Sequence, residues 1–151
     1  MLHDLARLYS EDRLLAECGQ RGMLVDEYER AHPLVLHARL GAELAAEMFD
    51  VQDPAILSAI RKHTLADAQM STLDCILYVS DTAEPGRTFP ERASLASLAM
   101  RDLSEAMRVA LSLGIEHYQK KGVVPAPQTL AALQAFHVTE ASTGELSGRS
   151  A

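Results

Sequence analysis

His32-Pro33-Leu34-Val35-Leu36-His37-Ala38-Arg39-Leu40-Gly41-Ala42-Glu43-Leu44-Ala45-Ala46-Glu47-Met48 reads as one long helix. Pro33 suits a first helical position, where its missing N–H leaves no bond unmade. Leu34, Leu36, His37, Leu40, Gly41, Leu44, Ala45 and Met48 then share one broad face. Leucine and alanine, which fill that face, favour helix over strand. A helix with such a face needs other helices to bury it.

The neighbouring stretches supply them. Towards the start, Asp26 to Arg30 predicts a turn of helix, and Ser10-Glu11-Asp12 caps a short helix running to Cys18, stopped by Gly19 and Gly22. Leu2 to Tyr9 reads as the last turns of a helix, with Leu2, Leu5, Ala6 and Leu8 in register. Towards the end, Asp53-Pro54 caps a helix over Ala55 to Thr64, and Leu65 to Gln69 is a loop. Ser71-Thr72-Leu73-Asp74 is a capping box that opens a helix carrying Cys75, Ile76, Tyr78 and Val79, which Glu84-Pro85-Gly86-Arg87 breaks. Pro90 or Glu91 to Lys121 predicts the longest helix, with lysines in its last turn and Gly122 after it. Pro127 to Phe136 is a final short helix, and residues 139–151 lack apolar periodicity and are expected to form a disordered tail. With no strand pattern and no internal repeat, the expected fold class is an all-α bundle, one domain over residues 1–138.

Composition narrows the function. Apolar residues make up 48 % of the 151 residues and charged residues 23 %, ordinary for a globular chain that buries a core. The net charge of -7 argues against a nucleic acid polymer as partner, which needs a basic face. An anionic small molecule stays open, because metal ions or a few arginines make a site locally positive. Cys18 and Cys75 form no CxxC pair and are expected to be reduced thiols. No apolar run is long enough to cross a membrane and no secretory leader opens the chain, so the cytoplasm is the expected location.

The residues that carry chemistry are His3, Asp4, His37, His63 and Asp81. Imidazoles and carboxylates are ligands for divalent metals, and crossing helices can aim them into one interior. Each has a plainer reading. His37 alone is a hydrogen-bonded core histidine, and His63 alone is a partner for a helix C-terminus. Asp81 lies near a helix C-terminus, the wrong sign for its charge, so a cation should offset it. His3 and Asp4 lie within an apolar stretch, where a buried polar pair needs a partner. All five together favour a metal site holding one or two ions. His32 leads into a helix, and His117 and His137 read as surface residues.

The order and wording of these stretches resemble the HD-domain metal-dependent phosphohydrolases, and within them the YqeK-type symmetrical diadenosine tetraphosphate hydrolases. The resemblance rests on Leu2-His3-Asp4, Leu36-His37-Ala38 with Gly41-Ala42, Ala59-Ile60-Arg61-Lys62-His63-Thr64, Met70-Ser71 with Leu73, Tyr78-Val79-Ser80-Asp81, Glu84-Pro85-Gly86-Arg87, Phe89-Pro90, and Leu98-Ala99 to Asp102-Leu103. It spans residues 2–136. It implies an HD-domain helical bundle with a dinuclear metal centre, iron being the expected metal and manganese or cobalt the alternatives. It implies that His3, Asp4, His37, His63 and Asp81 are ligands, with Asp4 bridging, and that a dinucleoside tetraphosphate is cut at its middle into two nucleoside diphosphates.

For the substrate side, Arg87 is the expected phosphate clamp, followed by Arg61 and Lys62, since guanidinium suits bidentate phosphate contact. The plainer reading of Arg61 and Lys62 is a solvated helix face. Thr64 either bonds phosphate or caps its helix, and Asp4 can also orient the attacking water. The family's further ligand histidine lies on a helix ahead of the His-Asp pair. This chain opens two residues before that pair, so a bundle lacking its first helices is expected. After Thr64 the family carries Gly and Arg followed by Gly, where this chain has Leu65-Ala66-Asp67-Ala68-Gln69. The alternative to an active hydrolase is a catalytically impaired metal- and nucleotide-binding module; a structural remnant with an exposed apolar groove is a third reading. The expected partners are a small-molecule nucleotide and, as a possible assembly, a second copy in a homodimer.

Overall fold

The computed structural model describes the backbone of residues 2–144 and the side chains of residues 2–137. Among the described residues there are helices and turns and no strand. The helices are α1 (Glu11–Gln20), α2 (Glu27–Ala31), α3 (Leu36–Phe49), α4 (Pro54–Lys62), α5 (Thr72–Thr82), α6 (Arg92–Ala99), α7 (Leu103–Lys120) and α8 (Pro127–Gly144). The all-α expectation holds. None of these helices is long and apolar enough to cross a membrane.

The chain divides into two compact units: residues up to Leu65 with Ser71–Leu77, and Ala66–Met70 with the residues from Tyr78 onward. In the first, α3 packs against α1, α4 and the turn at Leu2–Asp4. Leu36, Leu40 and Leu44 of α3 bury against Ala6, Leu14 and Cys18, while Ala42 and Ala45 pack on Ile60 of α4. One helix thus fills two sides of a core, as its broad face predicts. Only the ends of that face differ: Leu34 and Met48 are exposed. In the second unit α7 packs against both α6 and α8.

Local chemistry sets most of the boundaries. Ser10 accepts the Arg13 N–H at 3.3 Å and starts α1. Asp26 and Glu29 form a reciprocal capping box at α2. Ser71 and Asp74 form the one expected from sequence: the Ser71 N–H donates to Asp74 at 2.8 Å and the Asp74 N–H to the Ser71 hydroxyl at 3.2 Å.

Four boundaries differ from the sequence reading. Leu2–Tyr9 is a run of tight turns, with Arg7 N–H bonded to Asp4 O at 2.9 Å and Tyr9 N–H to Ala6 O at 3.0 Å, each three residues back. Pro33–Val35 is a 3-10 turn and the α-helix begins at Leu36. The long segment after Pro90 is two helices, because the Asp102 carboxylate accepts the Glu105 N–H at 2.9 Å and caps α7 afresh. Finally, α8 runs to Gly144, past Phe136; the tail expected over residues 139–151 lies, beyond Gly144, outside the described residues.

Candidate metal centre

His37 and His63 are held in the same way. Each ring's Nδ1 lies beside the backbone carbonyl three residues earlier, Leu34 O at 2.5 Å and Ile60 O at 2.7 Å. A carbonyl only accepts, so each Nδ1 carries a proton and donates it. In the neutral ring that leaves Nε2 with a lone pair facing away from its own helix. The geometry follows from position: His37 is in the first turn of α3, and His63 closes α4. Both rings are buried.

The two Nε2 atoms face each other at 3.1 Å. Two lone pairs at that distance repel unless a cation or a donor proton comes between them. Asp4 adds negative charge at the same point: its Oδ1 lies 3.5 Å from His37 Nε2 and 3.7 Å from His63 Nε2. A point equidistant from these three atoms is about 2.0 Å from each, the length of a metal–imidazole or metal–carboxylate bond. The donor set therefore fits a divalent ion. On the other side of the carboxylate, Oδ2 lies 3.4 Å from Nε2 of the buried His3. Ligand atoms of His3, Asp4 and His63 lie within 4.8 Å of one another.

Gly41 lets the His3-Asp4 turn approach. A Cβ there would stand 3.3 Å from the His3 carbonyl oxygen and 3.8 Å from Ile60 Cγ2. The inner-face pattern includes Gly41, but its part in seating His3 is not visible without the structure. Thr64 is the other residue whose place only the structure gives. Its Oγ1 is 3.3 Å from His37 Nε2 and 3.3 Å from His63 Nε2.

The expected phosphate-binding residues carry ion pairs. Arg61 Nη2 lies 3.1 Å from Glu43 on the exposed side of α4. Lys62 Nζ lies 3.0 Å from Asp74, a fully buried carboxylate. Burial pushes the Asp74 carboxyl up, but the Ser71 N–H, Lys62 and Ser58 outweigh it and hold it below its ordinary value. Asp81 and Arg87 belong to the second unit. Arg87 Nη2 donates to Asp81 Oδ2 at 2.8 Å, and Arg87 Nε to the Asp81 carbonyl at 3.2 Å. Arg87 thus sets a guanidinium beside Asp81. Within the first unit the structure brings together His3, Asp4, His37, His63 and Thr64, and within the second it pairs Asp81 with Arg87.

An all-helical protein with imidazoles and a carboxylate converging on one point, the carboxylate directly after a histidine, is what the HD-domain description denotes. The HD domain family model matches residues 1–86, and the chain belongs to the HD-domain family. It is 30% identical over 129 residues to the symmetrical bis(5'-nucleosyl)-tetraphosphatase of Bacillus subtilis, across 85% of this chain and 69% of that protein. The protein of the same name from Halalkalibacterium halodurans is 31% identical over 147 residues, across 85% of this chain and 79% of its own. The crystal structure of a predicted HD superfamily hydrolase involved in NAD metabolism, from Clostridium acetobutylicum, superposes with a TM-score of 0.87 at 27% identity, covering 91% of this chain and 73% of that one. These similarities place the chain in the hydrolase class of a metal-dependent family.

Proposed function

We propose that this protein is a metal-dependent hydrolase of dinucleoside tetraphosphates, cutting diadenosine tetraphosphate with one water into two ADP. The observation that carries the reading is the convergence of His37 Nε2, His63 Nε2 and Asp4 Oδ1 on one point at bonding distance. The relatives named for symmetrical cleavage support the substrate.

In this reading His3, Asp4, His37 and His63 would hold the metal. A divalent ion there supplies an acidified water and neutralises phosphoryl oxygens. Imidazole with carboxylate suits iron, manganese or cobalt, and iron is the proposed metal. Asp4 also orients the attacking water. Arg61, half in solvent, is free to swing from Glu43 to phosphate, whereas Lys62 must first leave a buried partner. Asp81 is proposed as a further ligand on the family resemblance, and Arg87 as phosphate clamp because guanidinium suits bidentate phosphate contact. A homodimer is the proposed assembly, checked by light scattering.

The test is product analysis. Protein loaded in turn with iron(II), manganese or cobalt is incubated with diadenosine tetraphosphate and the nucleotides are separated by chromatography. The expected result is ADP as sole product, dependent on metal. AMP with ATP would overturn symmetrical cleavage. Bound metal without turnover would favour the binding-module reading.

A further inference from the structure

The Thr64 hydroxyl stands beside two of the candidate metal ligands. Its Oγ1 is 3.3 Å from each of two imidazole nitrogens, on half-buried ground. Both nitrogens are acceptors, because the opposite nitrogen of each ring gives its proton to a carbonyl. The single Thr64 O–H can therefore donate to either one. An ion held by His37 and His63 takes both lone pairs. The hydroxyl then remains beside them with its acceptors consumed, and a donor left unmet away from water is costly.

What it can reach is limited. An O–H···O bond spans about 2.7 Å, so the hydroxyl reaches only atoms within that distance of Oγ1, and a water lodged beside the two Nε2 atoms is among them. Phosphoryl oxygens are acceptors that arginines can serve from further away. The attacking water is different: its lone pair must point at phosphorus, and a fixed donor on its other side sets that direction.

We propose that the Thr64 hydroxyl donates a hydrogen bond to the attacking water and orients it. This rests on the hydrolase reading and narrows the part of Thr64 from phosphate contact to the water. The prediction separates Thr64→Val, which keeps the shape and removes the hydroxyl, from Thr64→Ser, which restores it.

The experiment uses the manganese-loaded full chain and two readouts. The first is turnover of diadenosine tetraphosphate; the second is calorimetric binding of fluoride, a one-atom acceptor of the size of water. Thr64→Val is expected to keep its manganese, lose about tenfold or more in kcat with KM within about twofold, and bind fluoride about tenfold more weakly. Thr64→Ser should recover both. Unchanged kcat and fluoride affinity in Thr64→Val would overturn the proposal. So would a raised KM at unchanged kcat, which makes Thr64 a phosphate contact, or lost manganese, which makes it part of the metal hold. If the wild-type chain binds fluoride but cuts no dinucleoside tetraphosphate, the substrate reading fails, while the fluoride comparison still decides the hydrogen bond.

Discussion

Asp4 and Asp74 are two carboxylates set into the same helical unit, and their surroundings are opposite. Asp74 is fully buried and carries its own cation, although its Oδ1 has no hydrogen-bond partner. One of its oxygens takes the Ser71 N–H at 2.8 Å and the Lys62 ammonium at 3.0 Å, and Ser58 adds a hydroxyl. Every neighbour gives a proton or a positive charge. Asp4 is 43% exposed and meets the lone-pair side of His37 and His63. Acceptors gathered around an acceptor make no folding sense by themselves. A carboxylate with its own cation holds a structure together; a carboxylate beside imidazole nitrogens suits a metal ion.

The largest test of that contrast is to remove each carboxylate in turn. Asp4→Ala should lose bound metal and lower hydrolysis about a thousandfold or more, beyond the 10- to 100-fold of an outer partner. Measured on metal-free protein, its unfolding free energy should stay within about 1 kcal/mol of wild type. Metal analysis, product chromatography and urea unfolding measure the three. A variant that keeps its metal would remove Asp4 from the site.

Asp74→Ala should do the reverse. It removes the carboxylate that accepts the Ser71 N–H in the α5 capping box and leaves Lys62 without that partner, while the quarter-exposed Lys62 can turn towards water. A loss of about 2–3 kcal/mol in urea unfolding is expected, below the cost of a fully enclosed pair. Metal content per folded molecule should not change. Equal losses of metal and stability would erase the distinction between the two carboxylates.

A pH series sharpens the same point. The folded Asp74 carboxyl is held below its ordinary value of 3.8, so it contributes stability above that value and loses it as pH falls through the folded one. The stability gap between wild type and Asp74→Asn should be full near neutrality and close as pH drops below 3.8. A gap that stays constant into acid would show that the charge of Asp74 does not stabilise the fold.

How much of this could be read beforehand differs between the two carboxylates. Asp74 was legible as the fourth residue of a capping box, because a cap is local chemistry written in four consecutive positions. Its pairing with Lys62 was not, since α4 and α5 meet only in the folded chain. His37 was legible as a polar residue on an apolar face, and the helices followed from periodicity and caps. The break before Leu103 was missed because Leu98 to Leu111 keeps helical spacing straight through it, and only the turn of backbone at Asp102 separates the two helices. The opening turns looked helical for the same reason: a run of eight residues is too short to tell tight turns from an α-helix. The convergence at Asp4 depends on which ring nitrogen keeps its proton, and that is set by the carbonyls of Leu34 and Ile60, which no spacing reveals. In the loop after Thr64, Ala66 takes a left-handed φ of 60° where the family carries glycine, and Asp67 closes the turn by accepting the Gln69 N–H at 2.8 Å. The family's basic residue is thus replaced by one that serves the turn.

The smallest test adds a third carboxylate to the pair. Asp50 ends α3 in the left-handed region, with φ of 52° and ψ of 37°. It is exposed and sits at the negative end of a helix dipole, where a carboxylate has the wrong sign. Its one bond on the other side is local: it accepts the Gln52 side-chain amide at 2.7 Å. Asp50 is therefore neither paired with a cation like Asp74 nor set among imidazoles like Asp4. Glycine takes this backbone shape without strain and is the commonest residue to end a helix in it. Asp50→Gly should raise stability by about 0.5–1 kcal/mol, read as a rise of about 1–4 °C in Tm, with metal content and turnover unchanged. A loss of stability would mean that the Gln52 contact outweighs both the strain and the dipole.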